Sequence, residues 1–112
     1  MLKLLERTSQ SFAMNKLSIK LNGDNFLAWK REALGAIKER NLEKFINEAD
    51  FGGRPPKFIN GKVSEEYKIW KEKDQVLYKW LLASLHPKFL HRIERCKHAL
   101  ELWMEIEAYF ID

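Results

Sequence analysis

Cysteine is almost missing from this chain of 112 residues; Cys96 stands alone. An intrachain disulfide is therefore excluded, which fits a reducing compartment. A zinc knuckle does not fit either, because it needs several cysteines at short spacing, and Cys96-Lys97-His98 offers one. Cys96 reads instead as a small buried residue. No apolar run approaches the roughly 20 residues that cross a bilayer. The first seven residues carry an acid at Glu6 and lack the apolar stretch of a secretory signal. A cytoplasmic protein with no membrane partner is the expectation. Charge of one sign is also scarce. The net charge is +4, ordinary for this length, although a weakly basic chain can meet nucleic acid.

Catalytic signatures are missing as well. No phosphate-loop pattern occurs, and Gly52-Gly53-Arg54 is a flexible turn rather than a cradle. His86, His91 and His98 have no serine, cysteine or carboxylate at a spacing that declares a triad. The expectation is a protein that is not an enzyme, with no metal, no cofactor and no small-molecule substrate.

What is present is helical amphipathicity. Hydrophobic residues make up 46% and charged residues 32%, which fits a folded helical domain and argues against disorder. Residues 1–15 read as a loosely ordered leader and 16–112 as one domain. The alternation Leu17-Ser18-Ile19-Lys20-Leu21 predicts a short extended segment with one face on the core. Asn22-Gly23-Asp24-Asn25 reads as a turn, with Asp24 or Asn25 capping a helix over about 25–40. Phe26, Trp29, Ala33, Ile37 and Arg40 form its stripe, and Leu34 widens it. Gly35 is expected to permit a close helix crossing. A short turn over 41–50 carries Leu42, Phe45 and Ile46 inward. The glycines and prolines between Phe51 and Gly61 exclude regular structure there.

A long helix is expected over about 64–85, capped by Ser64, with Glu65 and Glu66 at its positive end. Tyr67, Trp70, Leu77, Leu81 and Leu85 make its stripe; Val76, Trp80 and Ala83 widen it. His86-Pro87 ends it. A short helix follows over about 87–95, with Phe89, Leu90 and Ile93 inward, and a last one over about 98–110 with Leu102, Trp103, Ile106 and Phe110 inward. The fold class is therefore all-α, about four to five helices with a short extended N-terminal segment.

The four tryptophans mark packing nodes: Trp29, Trp70 and Trp103 mostly buried, Trp80 partly so. Asp74 sits four residues after Trp70, near the apolar stripe. It reads as a buried carboxylate that bonds an indole N–H or caps a neighbouring helix; a binding or switch role is the alternative. Lys68, Lys71, Lys73 and Lys79 tint the long helix basic, but Glu65, Glu72 and Asp74 are interleaved. A solvated face with intrahelical ion pairs is expected, leaving Lys68, Lys71 and Lys79 as weak nucleic-acid contacts.

The order of these residues resembles the N-terminal part of Gag from copia-type LTR retrotransposons, especially plant elements. Leu21, Gly23, Asn25, Phe26 and Trp29 match its opening. Leu42, Phe45 and Ile46 match the next block, and Pro55 and Pro56 its proline loop. Trp70, Asp74, Trp80, Leu81, Ser84 and Leu85 follow, then Ala99 and Trp103. The blocks cover residues 17–110. His98 stands where that family usually has a Thr or Ser helix cap. The resemblance implies a capsid-like helical domain that is truncated relative to the family, whose members continue with further helices and often an RNA-binding zinc knuckle. It implies a structural role in protein–protein assembly around element RNA, with self-association among Gag-like chains. Two alternatives stand beside it: a host-captured adaptor that holds a peptide in an interhelical groove, and a weak nonspecific RNA binder.

Overall fold

The computed structural model describes residue 14 and residues 16–110. The expected leader lies outside the described residues except for Met14, which packs against the core. Among the described residues there are five α-helices, with a two-stranded hairpin between the second and third: α1 Phe26–Glu39, α2 Glu48–Gly52, α3 Glu65–Ala83, α4 Leu90–Ile93 and α5 Ala99–Phe110. Short 3-10 turns at Glu43–Ile46 and Pro87–Phe89 join them.

The first segment keeps the expected alternation of burial: Leu17 and Ile19 are half-buried, Leu21 is buried, and Ser18 and Lys20 are exposed; it is not extended throughout, because the chain bends at Ser18 and Ile19. Leu21 pairs in parallel with Leu85. Its N–H donates to the Ser84 carbonyl at 2.8 Å, and its carbonyl accepts from the His86 N–H at 2.9 Å. Leu85 thus lies beyond the end of α3, in a bridge that satisfies backbone groups a helix terminus would leave open.

The turn into α1 differs from expectation. Neither Asp24 nor Asn25 caps the helix with its side chain. The Asn25 amide is turned back instead, accepting from the Asn22 N–H at 3.1 Å and donating to the Lys20 carbonyl at 2.8 Å. Gly23 has φ +113, a conformation L side chains rarely adopt, with the Lys88 ammonium against it. Asn41, in the left-handed region at φ 57, follows the end of α1, and Arg40 is exposed rather than part of the stripe. Gly35 makes no helix crossing: it is exposed, and a Cβ there would meet nothing within 4 Å.

The stretch 51–61 is more regular than its composition suggests. Phe51 and Gly52 close α2, whose N-cap Asn47 accepts from the Asp50 N–H. The strands β1 (Phe58–Ile59) and β2 (Lys62–Val63) then pair antiparallel about Asn60-Gly61. Both turn residues have positive φ, 52 and 78, as a two-residue hairpin loop requires. Asn-Gly was the signal that the proline count obscured.

Ser64 caps α3, accepting from the Tyr67 N–H at 2.9 Å. Its apolar stripe buries Trp70, Leu77, Trp80 and Leu81, so Trp80 is buried rather than partly so; Ala83 faces out. His86-Pro87 ends α3 as expected, and His86 Nδ1 accepts from the Lys88 N–H. Phe89 and Ile93 are buried, but Leu90 is exposed, because a 3-10 turn followed by one α-helical turn does not keep a single helical period. Cys96 is half-buried, not buried.

One closed core results. Trp29, Ala33 and Ile37 of α1 and Leu102, Trp103 and Ile106 of α5 belong to one buried cluster, and α3 packs along α5. The Trp29 and Trp103 rings stack at 5.7 Å. The Trp29 N–H donates to Ser84 Oγ at 3.1 Å, and that hydroxyl donates to the Leu81 carbonyl, so the most buried indole has its partner.

Candidate functional site

The polar centre of the molecule is Asp74. Its side chain is fully buried on α3. Oδ1 accepts from the Ala99 N–H at 3.1 Å, the first residue of α5. Oδ2 meets His98 Nδ1 at 2.8 Å and accepts from Gln75 Nε2 at 3.1 Å. A carboxylate has only acceptor capacity, so Nδ1 of His98 carries the proton in this contact. Asp74 is therefore a cap supplied to α5 from another helix, and its negative charge sits at the positive end of that helix. This explains how His98 can stand where the resemblance implies a Thr or Ser cap.

Glu101 completes the arrangement. Its Oε1 accepts from the Lys97 and His98 N–H groups, both at 3.0 Å. Glu three residues after the cap position is capping-box spacing, a signal legible in the sequence but not used. Gln75 also donates to the Lys97 carbonyl, and Tyr78 donates to the Cys96 carbonyl. The turn 96–98 is thus tied to α3 by three side chains. Aromatic rings cover the node. His98 lies 5.3 Å edge-on to Phe51 and 5.7 Å from Trp70, which also meets Phe45 and Tyr67. Burial holds the Cys96 thiol above its ordinary range, with Glu101 and Glu105 adding to the effect.

Most of the residues singled out in the sequence gather in the core. Leu21, Trp29, Trp70, Trp80, Leu85, Ala99 and Trp103 are buried apolar positions. Asn25 and Gly23 shape the turn before α1. Phe26 is half-buried and stacks on Phe110 at 4.7 Å. Lys68, Lys71 and Lys79 are exposed on α3. Lys68 pairs with Glu65 at 3.1 Å, one of the intrahelical pairs expected on a solvated face. Phe51 and Arg54 belong to the Asp74 surroundings and were not singled out, since a loop composition gave no reason to place them near α5.

Among the described residues no grouping of His, Cys, Asp and Glu could hold a metal ion, and no helix is long and apolar enough to cross a membrane. No family model matches the chain, and no curated protein or solved structure is significantly similar to it.

Proposed function

We propose that this chain is a copia-type Gag-like helical domain, a cytoplasmic structural unit without catalysis, whose role is self-assembly with like chains around element RNA. The observation that carries the reading is the convergence of the ordered signature. Residues spread from Leu21 to Trp103 meet in one core, and its one acid, Asp74, joins α3 to α5. Each has a packing or capping reason for its type, which is what a fold signature requires.

The surface supports assembly over the peptide-adaptor alternative. The most apolar recess, between Leu21, Leu85, Ile93 and Phe110, holds only about 10 Å³, too little for an apolar peptide side chain; the larger clefts are open and partly polar. By contrast Leu27 is 80% exposed on α1, beside Phe26, Ala28 and Phe110, around a shallow open depression. An apolar patch of this kind suits a second copy of the chain. Sedimentation at high concentration tests it. Weak reversible association that is lost in Leu27→Glu is expected; a monomer at every concentration would remove the assembly role. Gel-shift titration tests the RNA part. With three lysines of α3 interleaved with acids, binding at the weak end of the nonspecific range, dissociation constants of roughly 10⁻⁴ M, is expected.

A further inference from the structure

Beside the Asp74 node lies an open cleft of about 380 Å³. Arg54, Pro55, Pro56, Lys57, Tyr67 and His98 form most of its wall, and no carboxylate lines it. Between Asp50 and Glu65 the chain carries Arg54, Lys57 and Lys62 and no acid. Among the described residues neither Arg54 nor Lys57 takes part in a salt bridge.

The Arg54 cation is also held in place, and the Lys57 ammonium lies over the Phe58 ring at 5.5 Å. One Arg54 Nη donates to the Phe51 carbonyl at 3.0 Å, and the guanidinium stacks on the Phe51 ring at 4.3 Å. A guanidinium has five N–H donors, so this anchoring leaves most of the fork unused. Pro55 and Pro56 stiffen the turn, and the Lys57 carbonyl accepts from the Ser64 N–H at 2.9 Å, which closes the hairpin base. On the opposite wall Asp74 fixes the His98 ring through Nδ1. Nε2 is then the ring's remaining polar atom, left free of Asp74. Both Asp74 oxygens are already occupied, so the carboxylate does not compete for the cations.

A fork and an ammonium around one cleft match an oxyanion with several oxygens pointing in different directions. A planar carboxylate would use the fork alone. We propose that this cleft binds a phosphate group, held by Arg54 and Lys57 with the His98 ring on its wall. The cleft is larger than a phosphate needs, and the Tyr67 and Pro56 walls would face the rest of a phosphomonoester. The proposal stands independently of the assembly reading.

Amide NMR titration of the full chain at constant ionic strength tests it, with inorganic phosphate, a nucleoside monophosphate and the parent nucleoside as probes. Saturable shifts confined to Arg54, Lys57, Tyr67, His98 and their neighbours are expected with both phosphates and none with the nucleoside. Tighter binding of the monophosphate would assign the ester, and equal binding free phosphate. Arg54→Gln with Lys57→Gln should weaken binding at least tenfold. Lys71→Gln with Lys79→Gln removes the same net charge from exposed positions on α3 and should leave it unchanged. Lys57→Glu alone, at one exposed side chain, should abolish saturation. The proposal is overturned by shifts that do not saturate, by shifts spread along the α3 lysines, or by equal weakening in the two double variants.

Discussion

Replacing Asp74 by leucine removes the acceptor that joins α3 to α5. The buried Ala99 N–H loses its partner, and no water can reach it, because Ala99 is fully buried. Stranding a buried donor costs about 1–3 kcal/mol. Loss of a helix cap falls in a similar range, about 0.5–2 kcal/mol, and overlaps with that term because the Ala99 N–H is the capped group. Gln75 keeps the Lys97 carbonyl, and His98 is partly exposed and can turn to water, so neither adds much. The total is about 2–3 kcal/mol, which for a domain of this size lowers Tm by roughly 10–20 °C. Asp74→Asn is the informative partner. Its Oδ1 still accepts from Ala99, while its amide faces the two donors Gln75 and His98. His98 can change tautomer to accept, so a cost of about 1 kcal/mol is expected. Urea denaturation with matched m-values measures both. If Asp74→Leu unfolds within 0.5 kcal/mol of the parent, the carboxylate is not a structural cap and the reasoning fails.

Four further outcomes follow from the same structure. Trp29→Ala should destabilise by about 3–5 kcal/mol, and Trp29→Phe by clearly less, since Ser84 keeps the Leu81 carbonyl when the indole N–H is gone; equal losses in thermal melts would contradict this. Gly35→Ala should stabilise by up to about 1 kcal/mol, because the position is an exposed helix interior with open space around it. The Cys96 thiol should react with an alkylating agent along a pH profile displaced upward from an ordinary thiol, and Glu105→Gln should move that profile back down. Backbone and hydroxyl hydrogen bonds from Ser18 hold the Glu32 carboxyl below its ordinary range. A lowered folded-state value means the tie is present above the ordinary carboxylate range and lost as pH falls through the lowered value. The protection of the Ser18 amide, its exchange relative to the intrinsic rate at each pH, should therefore fall on strong acidification, and Glu32→Gln should remove that pH dependence.

Long periodic segments were legible because a helix buries one stripe whatever it packs against. The stripes of α1, α3 and α5 name most of the core, and Ser64 marks the start of α3. The signal failed where two neighbouring rules competed. Two prolines and two glycines hid the Asn60-Gly61 hairpin, although Asn-Gly is itself a hairpin signal. A helical period carried through Pro87 put Leu90 inward, whereas the 3-10 turn rotates it out. Asn25 looked like a cap, but the segment beside it offered the Lys20 carbonyl as a better partner.

The amino-acid sequence by itself determined the all-α class, the spans of the three long helices and the burial of Trp29, Trp70 and Trp103. Those properties depend on side-chain period and on local capping, which act within a few residues. Only the tertiary structure decided what Asp74 does. Its partners are 24 and 25 residues away in the chain, at His98 and Ala99, and nothing in its own helix reveals them. The same holds for the cleft. Arg54 and Lys57 share a cleft with His98 only because Phe51 of α2 packs on Trp70 and the His98 ring, a placement no local pattern sets.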